Sequence, residues 1–288
     1  MWFLLILGFV ALTSAGAYLL RKASAAALES GSAHRLEDDG GMRLAQLRLP
    51  RAQPAGGVLE DPGVTGGRRE MKAIVFDFDG VILESVDIKT RAFRELFKGH
   101  PEHLDTIVRF HLDNTGMSRF EKFKIIYREY LGRRLDHAEL AFLAEAFSRF
   151  LYNEILVCPF VHGAYNFLEA RAKQYQLFVA SAAPQREIRD IVEQRELAKF
   201  FRGVYGSPRT KGEILRGVLV KSHLRPTDVV FIGDTMSDYQ AAREVSVPFI
   251  GRVPRGKSSP FPDEGAVTTI ENLYQLDQQW SFLLERLG

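Results

Sequence analysis

Short apolar runs of strand length recur along the chain after residue 70. The first covers residues 73–77, is rich in β-branched side chains and ends in a carboxylate, and similar runs cover residues 177–181, 229–233 and 247–250. Amphipathic stretches with helical spacing lie between several of these runs. Short apolar strands that alternate with helices predict a parallel α/β sheet, doubly wound by right-handed crossovers into three layers as in Rossmann-like domains.

The segment between the first two predicted strands is too long for a single crossover helix. It has about 90 residues, and its apolar side chains recur at helical spacing. We therefore predict an inserted helical cap domain at residues 86–156, with its aromatic residues forming the core of the cap. Residues 71–85 and 157–288 would then form the catalytic core.

The first 70 residues have a different character. Residues 1–20 are uncharged and apolar, and Arg21 and Lys22 follow directly, which predicts a transmembrane anchor that leaves the catalytic domain in the cytoplasm. A cleaved signal peptide is an alternative, although the basic n-region of such peptides is missing. Residues 21–70 have the composition of a disordered linker. A third alternative is that the native protein starts at Met71, directly before the first strand.

The amino-acid composition and net charge narrow the range of functions that the protein can have. The 288 residues are 46% hydrophobic and 26% charged, as in globular proteins, and the formal net charge is only +2. The basic residues form no long run, so the sequence does not indicate a nucleic-acid partner. Cys158 is the only cysteine, which excludes an internal disulfide or a cluster of thiolate metal ligands.

Polar residues follow the apolar runs at the ends where a parallel sheet has its ligand sites. Carboxyl ends of parallel strands share one edge of the sheet, so these side chains are expected to converge there. Alone, two aspartates spaced two apart are a weak signal, because such pairs are common in surface turns. Four elements occur in chain order: Asp77 and Asp79 at the first run, Ser181 at the end of the second, Lys211 in the region before the third, and Asp234 and Asp238 after the third.

These four elements, together with the long helical insertion after the first, resemble the haloacid dehalogenase superfamily with a type 1 cap, in particular its phosphoglycolate phosphatase and β-phosphoglucomutase-like members. The likeness runs from Lys72 to about Arg252. It implies a phosphatase in which Asp77 is the nucleophile and forms an aspartyl-phosphate. Asp79 would be the acid and base, and Ser181 and Lys211 would bind the phosphoryl oxygens.

The resemblance also implies a Mg²⁺ cofactor, which prefers hard oxygen ligands. Asp77 and Asp234 would supply side-chain oxygens and Asp79 its backbone carbonyl. Asp238 would be a further ligand or a partner of one. Beside Ser181 the sequence departs from the commoner family form, because Ala182 follows the hydroxyl residue where glycine, threonine or asparagine is usual.

The insertion carries a motif that bears on substrate choice. Residues 115–119, Thr-Gly-Met-Ser-Arg, resemble a cap segment of sugar-phosphate mutases and phosphatases in which the arginine contacts a distal anionic group. Arg119 is the candidate for that contact, and Lys122 lies one helical turn away. The alternative is an ordinary solvated arginine at the start of a helix.

Several functions share this core. A phosphosugar mutase would use the same residues but retain the phosphoryl group. A haloacid dehalogenase needs neither magnesium nor the second aspartate, and a phosphonatase lacks that aspartate, so Asp79 argues against both. A non-catalytic, membrane-tethered binding protein of this fold is disfavoured because the acidic set is intact. The sequence therefore predicts a phosphatase acting on a small phosphorylated metabolite, of the phosphoglycolate or sugar phosphate class, and does not specify the oligomeric state.

Overall fold

The computed structural model describes residues 71–262 and 268–287. Its strands are β1 (Ala73–Phe76), β2 (Gln176–Pro184), β3 (Gly203–Ser207), β4 (Val229–Gly233), β5 (Phe249–Arg252) and β6 (Thr268–Ile270). Its α-helices are α1 (Val86–Leu96), α2 (Leu104–Asp113), α3 (Arg119–Ile125), α4 (His137–Val157), α5 (Ala164–Arg171), α6 (Gln185–Gln194), α7 (Lys211–Lys221), α8 (Met236–Glu244) and α9 (Leu273–Leu287). A π-helical turn at Ile126–Tyr130 continues α3, and 3₁₀ turns lie at Ala198–Phe200 and Pro226–Asp228.

The described strands form one parallel sheet in the order β3-β2-β1-β4-β5-β6. The central strand β1 pairs with β2 on one side and β4 on the other, with Phe76 opposite Val179 and Ile232. The strand order reverses between β2 and β4, on either side of β1. The carboxyl end of β1 therefore lies at the switch point where α/β sheets place their ligands.

The two faces of the sheet are covered by separate apolar layers. Alternate residues of β1 point to opposite faces, so Ile74 and Phe76 pack in one core while Ala73 and Val75 pack in the other. The helices α7 and α8 cover the second face, to which Ile214 and Tyr239 belong. The predicted doubly wound α/β fold with three layers is confirmed.

The helices α1 to α4 and the π turn lie between β1 and β2, as the length of that segment predicts. Their cores are aromatic: Phe93 packs against Phe147 and Phe123 with ring centroids 4.9 and 5.7 Å apart. This helical insertion shares one apolar cluster with the first face of the sheet. Phe150, which the helical spacing assigns to the same core, is instead exposed on α4. The bounds of a separate cap domain at residues 86–156 stay a prediction.

Two strands were missed in the sequence. β3 contains two glycines and is half-buried at the sheet edge, and β6 has only three residues, so neither shows the apolar run that marks a buried strand. The weak signal at residues 247–250 corresponds to β5, shifted two residues towards the C-terminus.

The predicted anchor at residues 1–20 and the predicted linker at 21–70 lie outside the described residues. Among the helices of residues 71–262 and 268–287, we find none with the length and apolar character that crossing a membrane requires.

Candidate active site

Asp77 lies directly after β1, at the centre of the sheet edge. Its backbone N–H donates to the carbonyl of Ile232, which continues the β1–β4 pairing by one residue and holds the carboxylate at the strand end. The side chain is buried, and its Oδ1 accepts from the N–H of Phe78 at 2.7 Å. A rigid backbone thus presents one carboxylate to the cleft between the sheet and the helical insertion, and both Asp77 and Asp79 line that cleft.

Asp79 is held by two residues at the start of the insertion. Ser85 Oγ donates to Asp79 Oδ1 at 2.6 Å, and the Lys89 ammonium forms an ion pair with Oδ2. Although burial raises the pKa of Asp79, the Lys89 charge and these hydrogen bonds outweigh it and lower the pKa below its usual value. Asp79 is therefore ionised in this arrangement.

Lys211 links Asp77 to Asp238. It occupies the first position of α7, whose N-cap Thr210 and Glu213 form a capping box. Its ammonium lies 2.9 Å from Asp77 Oδ2 and also pairs with Asp238 Oδ1. Burial disfavours the charged amine, but the carboxylates of Asp238 and Asp77 raise the pKa of Lys211 above its ordinary value. Lys211 is therefore a permanent cation beside the proposed nucleophile.

Asp238 is positioned by the cap of α8. It is fully buried at the third position of that helix, and its Oδ2 accepts from both the N–H and the hydroxyl of Thr235, at 3.0 and 2.6 Å. Thr235 is in turn the N-cap residue whose hydroxyl accepts from Asp238 N–H. Three of the lone-pair positions of Asp238 are thus occupied by protein donors, counting Lys211.

Asp234 is the carboxylate with unused acceptor capacity. Its Oδ1 is buried and has no hydrogen-bond partner in the described part of the chain. Oxygen atoms of Asp77, Asp234 and Asp238 lie within 4.8 Å of one another, which is a spacing that one cation can bridge. An unpartnered buried oxygen in a cluster of three carboxylates is the donor set that a hard divalent cation takes, so these residues fit a Mg²⁺ ion.

The acidic cluster is also electrostatically strained. Burial raises the pKa of Asp77 to about 7, with Lys211 acting in the opposite direction and Asp238 adding to the rise. Burial, together with the charges of Asp77 and Asp238, also raises the pKa of Asp234 well above its usual value. Several carboxylates crowded in a buried site lose their charge unless a cation compensates them.

Ser181 is placed near the cleft but not on its wall. It is fully buried in β2, and its hydroxyl accepts from the N–H of Ala183 at 3.1 Å. The neighbouring Ala182 lines the cleft. The phosphate-binding role of Ser181 stays a prediction.

The cleft continues into a second chamber inside the helical insertion. Lys89, His111, Thr115 and Ala182 line both spaces. The far chamber, which we call the distal chamber, is closed by the remaining lining residues Phe93, Met117, Arg119, Lys122, Phe147 and Ala183. The two residues that the sequence proposes for substrate choice thus lie together in this chamber, one helical turn apart on α3.

Arg119 and Lys122 have different hydrogen-bond partners. The Arg119 guanidinium forms two hydrogen bonds with the Glu187 carboxylate of α6 and one, of 2.7 Å, with Ser148 Oγ. Lys122 is buried with its amine 3.0 Å from His111 Nδ1 and 3.2 Å from the His111 carbonyl. Arg119 is not a solvated residue, since it is 6% exposed. The substrate-binding roles of Arg119 and Lys122 stay predictions.

The structure adds residues that sequence reasoning missed, namely Ser85, Lys89, His111, Glu187 and Thr235. A signal existed for one pair, because Ser85 and Lys89 are four residues apart at a helix start and so share a face. Glu187 and His111 left no such signal, since they reach the site from helices whose orientation the motifs do not determine.

The sequence matches the model of the haloacid dehalogenase-like hydrolases over residues 74–252. The chain belongs to this family. The fold, the site at the carboxyl end of β1 and the family match agree, and the sequence-based prediction of a phosphatase from this superfamily is confirmed.

The chain is similar to curated proteins that are named as phosphatases. The chain is 26% identical over 195 residues to the phosphoglycolate phosphatase of Pseudomonas putida, an alignment covering 62% of this chain and 68% of the relative. It is 25% identical over 192 residues to the phosphorylated carbohydrates phosphatase of Thermotoga maritima, covering 62% and 82%. A haloacid dehalogenase-like hydrolase from Streptococcus pneumoniae has the same fold, with a TM-score of 0.59 at 20% identity, covering 74% of this chain and 98% of that one.

Proposed function

We propose that the protein is a magnesium-dependent phosphatase that hydrolyses a small phosphorylated metabolite through an aspartyl-phosphate at Asp77. The observation that carries the proposal is the geometry around Asp77: a buried carboxylate at the switch point, with Lys211 at 2.9 Å and two more aspartates within bridging distance of one cation.

In the first half-reaction an Asp77 carboxylate oxygen attacks phosphorus and the bond from phosphorus to the substrate alcohol breaks. Asp79, which the ion pair with Lys89 keeps ionised before substrate binds, first takes up a proton from solvent and then gives it to the departing oxygen. In the second half-reaction the Asp79 carboxylate accepts a proton from water, which attacks phosphorus and releases Asp77 and inorganic phosphate. The ion pair with Lys89 keeps Asp79 ionised, which suits the second half.

Charge is the main obstacle when a carboxylate attacks a phosphate dianion. Asp77, Asp234 and Asp238 would hold Mg²⁺, with the Asp79 backbone carbonyl as a further ligand. The ion, when bound, neutralises charge on the phosphoryl oxygens and on Asp77. Lys211, which pairs with both Asp77 and Asp238, supplies a second, fixed positive charge beside the nucleophile.

The relatives support a small substrate. Those named above are a phosphoglycolate phosphatase and a phosphorylated carbohydrates phosphatase. Both names describe phosphate monoesters of small, polar molecules, the class that the narrow cleft can enclose. We therefore place phosphoglycolate and sugar phosphates first among candidate substrates.

The proposal is tested by measuring phosphate release with and without magnesium from p-nitrophenyl phosphate, phosphoglycolate and sugar phosphates. We expect Asp77→Asn to lower the rate roughly 1,000-fold or more on every substrate, because the nucleophile is lost. Asp79→Asn should cost roughly 100-fold to 10,000-fold on alkyl phosphates but much less on p-nitrophenyl phosphate, whose leaving group needs no proton.

A matched control is Asp87→Asn, which makes the same chemical change at an exposed position in the first turn of α1. It should retain full activity. Unchanged activity in Asp77→Asn would disprove the mechanism. An isomeric sugar phosphate in place of free phosphate would instead identify a mutase.

A further inference from the structure

Not every cationic side chain that lines the distal chamber is paired with a carboxylate, and this difference indicates which substrate the chamber can bind. Among residues 71–262 and 268–287, three cations line it: Lys89, Arg119 and Lys122. Lys89 is paired with Asp79 and Arg119 is paired with Glu187. Lys122 forms no ion pair with a carboxylate of these residues, and its partners are the ring and carbonyl of His111.

The pair between Arg119 and Glu187 neutralises the arginine inside the protein. Both nitrogens of the guanidinium fork engage the two carboxylate oxygens, and Ser148 Oγ donates to Glu187 Oε2 at 2.6 Å while accepting from Arg119. The side chains are only 4% and 11% exposed, so water screens this pair little. A substrate group would have to displace Glu187 before it could use Arg119.

His111 contributes no charge. Burial, with the positive charges of Lys122 and Lys89, lowers its pKa to about 2, so the ring is neutral and its Nδ1 can accept from the Lys122 amine. The walls next to these groups are apolar: the Lys122 amine lies 5.4 Å from the Phe93 ring centroid, and the Arg119 guanidinium lies 4.6 Å from that of Phe147. Among the described residues, the chamber thus offers one cation without a carboxylate partner, beside the rings of Phe93 and Phe147.

We propose that Lys122 binds a single negative charge on the leaving group of the substrate, and that Glu187 sets this specificity by withholding Arg119. The substrate is then a short phosphate monoester that carries a carboxylate, in preference to one that carries a second phosphate. This inference rests on the proposed phosphatase function. Glu187 is a positioning residue, because it acts on the substrate through Arg119.

The electrostatics of Lys122 support a bound anion. Burial and the nearby Lys89 charge lower the pKa of the Lys122 amine to about 7. An anion placed beside the amine would favour its protonated form and offset the repulsion from Lys89. A carboxylate supplies one negative charge for this one cation, whereas a phosphate dianion would leave a buried charge without a partner.

The test uses three two-carbon phosphate monoesters that differ only in the far group. Ethyl phosphate carries a methyl group there, phosphoglycolate a carboxylate, and ethane-1,2-diol bisphosphate a second phosphate. The full-length protein with magnesium should show the highest kcat/KM for phosphoglycolate. In Lys122→Met the preference for phosphoglycolate over ethyl phosphate should fall about tenfold or more through KM, the loss expected for a charged hydrogen bond.

The second variant, Glu187→Gln, keeps the side-chain size but frees the Arg119 charge. It should raise kcat/KM for the bisphosphate relative to ethyl phosphate by about tenfold. Its matched control is Asp190→Asn, since Asp190 also joins α6 to α4, through a hydrogen bond from Tyr152, without touching Arg119. The control should leave all substrate preferences within about twofold.

Each alternative result has a distinct meaning. Equal losses on all three substrates in Lys122→Met would show that the lysine only supports the fold. Equal changes on all substrates in Glu187→Gln and Asp190→Asn would show that α6 only holds the insertion in place. Either outcome overturns the inference but leaves the proposed phosphatase function intact, because phosphate is still released. Absence of magnesium-dependent phosphate release from these esters and from p-nitrophenyl phosphate would overturn the proposed function as well.

Discussion

At the scale of single residues, the site depends on how closely the backbone approaches the acidic cluster. Gly80 follows the aspartate pair with φ of +76°, a left-handed conformation that side chains disfavour. A Cβ at this position would overlap the Asp234 carboxylate. The turn after Asp79 therefore needs glycine for two independent reasons.

Gly80→Ala should abolish most activity, by roughly 100-fold, because it displaces Asp234 by a fraction of an ångström or more. Gly256→Ala is the matched control: its φ is +78°, but a Cβ there would meet nothing within 4 Å. Both variants carry a backbone strain of about 1–2 kcal/mol, so thermal unfolding should separate that strain from the clash. Full phosphatase activity in Gly80→Ala would contradict the account of the cluster.

Because Lys122 titrates, we predict that the preference for one substrate over another depends on pH. This dependence is separate from that of the reaction centre. The groups around its amine are Lys89, His111 and Arg119, the last held by Glu187, and the pKa of Lys122 is about 7. As pH rises through this value the amine loses its charge. The ratio of kcat/KM for phosphoglycolate to that for ethyl phosphate should be constant below about pH 7 and then fall, by up to about tenfold per pH unit.

Groups at the reaction centre act on both substrates, so their titration affects both kcat/KM values equally. It therefore cancels in the ratio of the two values. The same ratio measured in Lys122→Met should not vary with pH. A ratio that still falls in that variant would assign the titration to another residue.

At the scale of secondary structure elements, the loop after α2 packs closely against the start of α8. A Cβ on Gly116 would lie 2.5 Å from Thr235 Oγ1 and 2.6 Å from Ser237 Cβ. Thr235 caps α8 and holds Asp238, so this loop touches the element that organises the acidic cluster. Gly116 and Thr235 also both line the cleft.

Gly116→Ala should therefore lower kcat/KM by roughly tenfold to 100-fold, since a displaced loop leaves the closed geometry incomplete. The melting temperature should change little, because the loop residue is only half-buried. Gly99→Ala, in the same insertion with nothing within 4 Å of its Cβ, serves as the control. Equal kinetics in the two variants would argue against a functional contact.

At the scale of the whole molecule, one apolar cluster joins the helical insertion to the sheet. Phe97, the C-cap residue of α1, and Phe167 of α5 are each 1% exposed and belong to this cluster. Phe167 contacts Phe76 of β1 and Trp280 of α9, with ring centroids 6.2 and 5.3 Å apart. A continuous core of this kind favours cooperative unfolding of both parts.

Phe97→Ala and Phe167→Ala should each cost about 3–5 kcal/mol of unfolding free energy, because each leaves a cavity. Both should shift a single transition, observed together by circular dichroism and by the fluorescence of Trp280 in a Trp2→Phe background. A Phe97→Ala protein in which the helical signal melts well before the Trp280 signal would show instead that the insertion unfolds by itself.

The sequence by itself was sufficient for the buried parallel strands of the sheet and for the acidic set. Buried strands need continuous apolar runs, and parallel strands bring their carboxyl ends to one edge. For these reasons Asp77, Lys211, Asp234 and Asp238 could be assigned to one place before their distances were known. The edge strands β3 and β6 were not predicted, because short, half-buried strands lack a continuous apolar run.

Only the tertiary structure decided which charges are matched. Lys89 of α1 meets Asp79 in the turn after β1, and Lys122 of α3 meets His111 of α2. Arg119 meets Glu187 over a separation of 68 residues. The faces of these helices are set by the packing of their aromatic cores, not by any local motif. The sequence therefore predicted the acidic cluster, whereas packing decided that Arg119 pairs with a carboxylate and Lys122 with the neutral ring of His111.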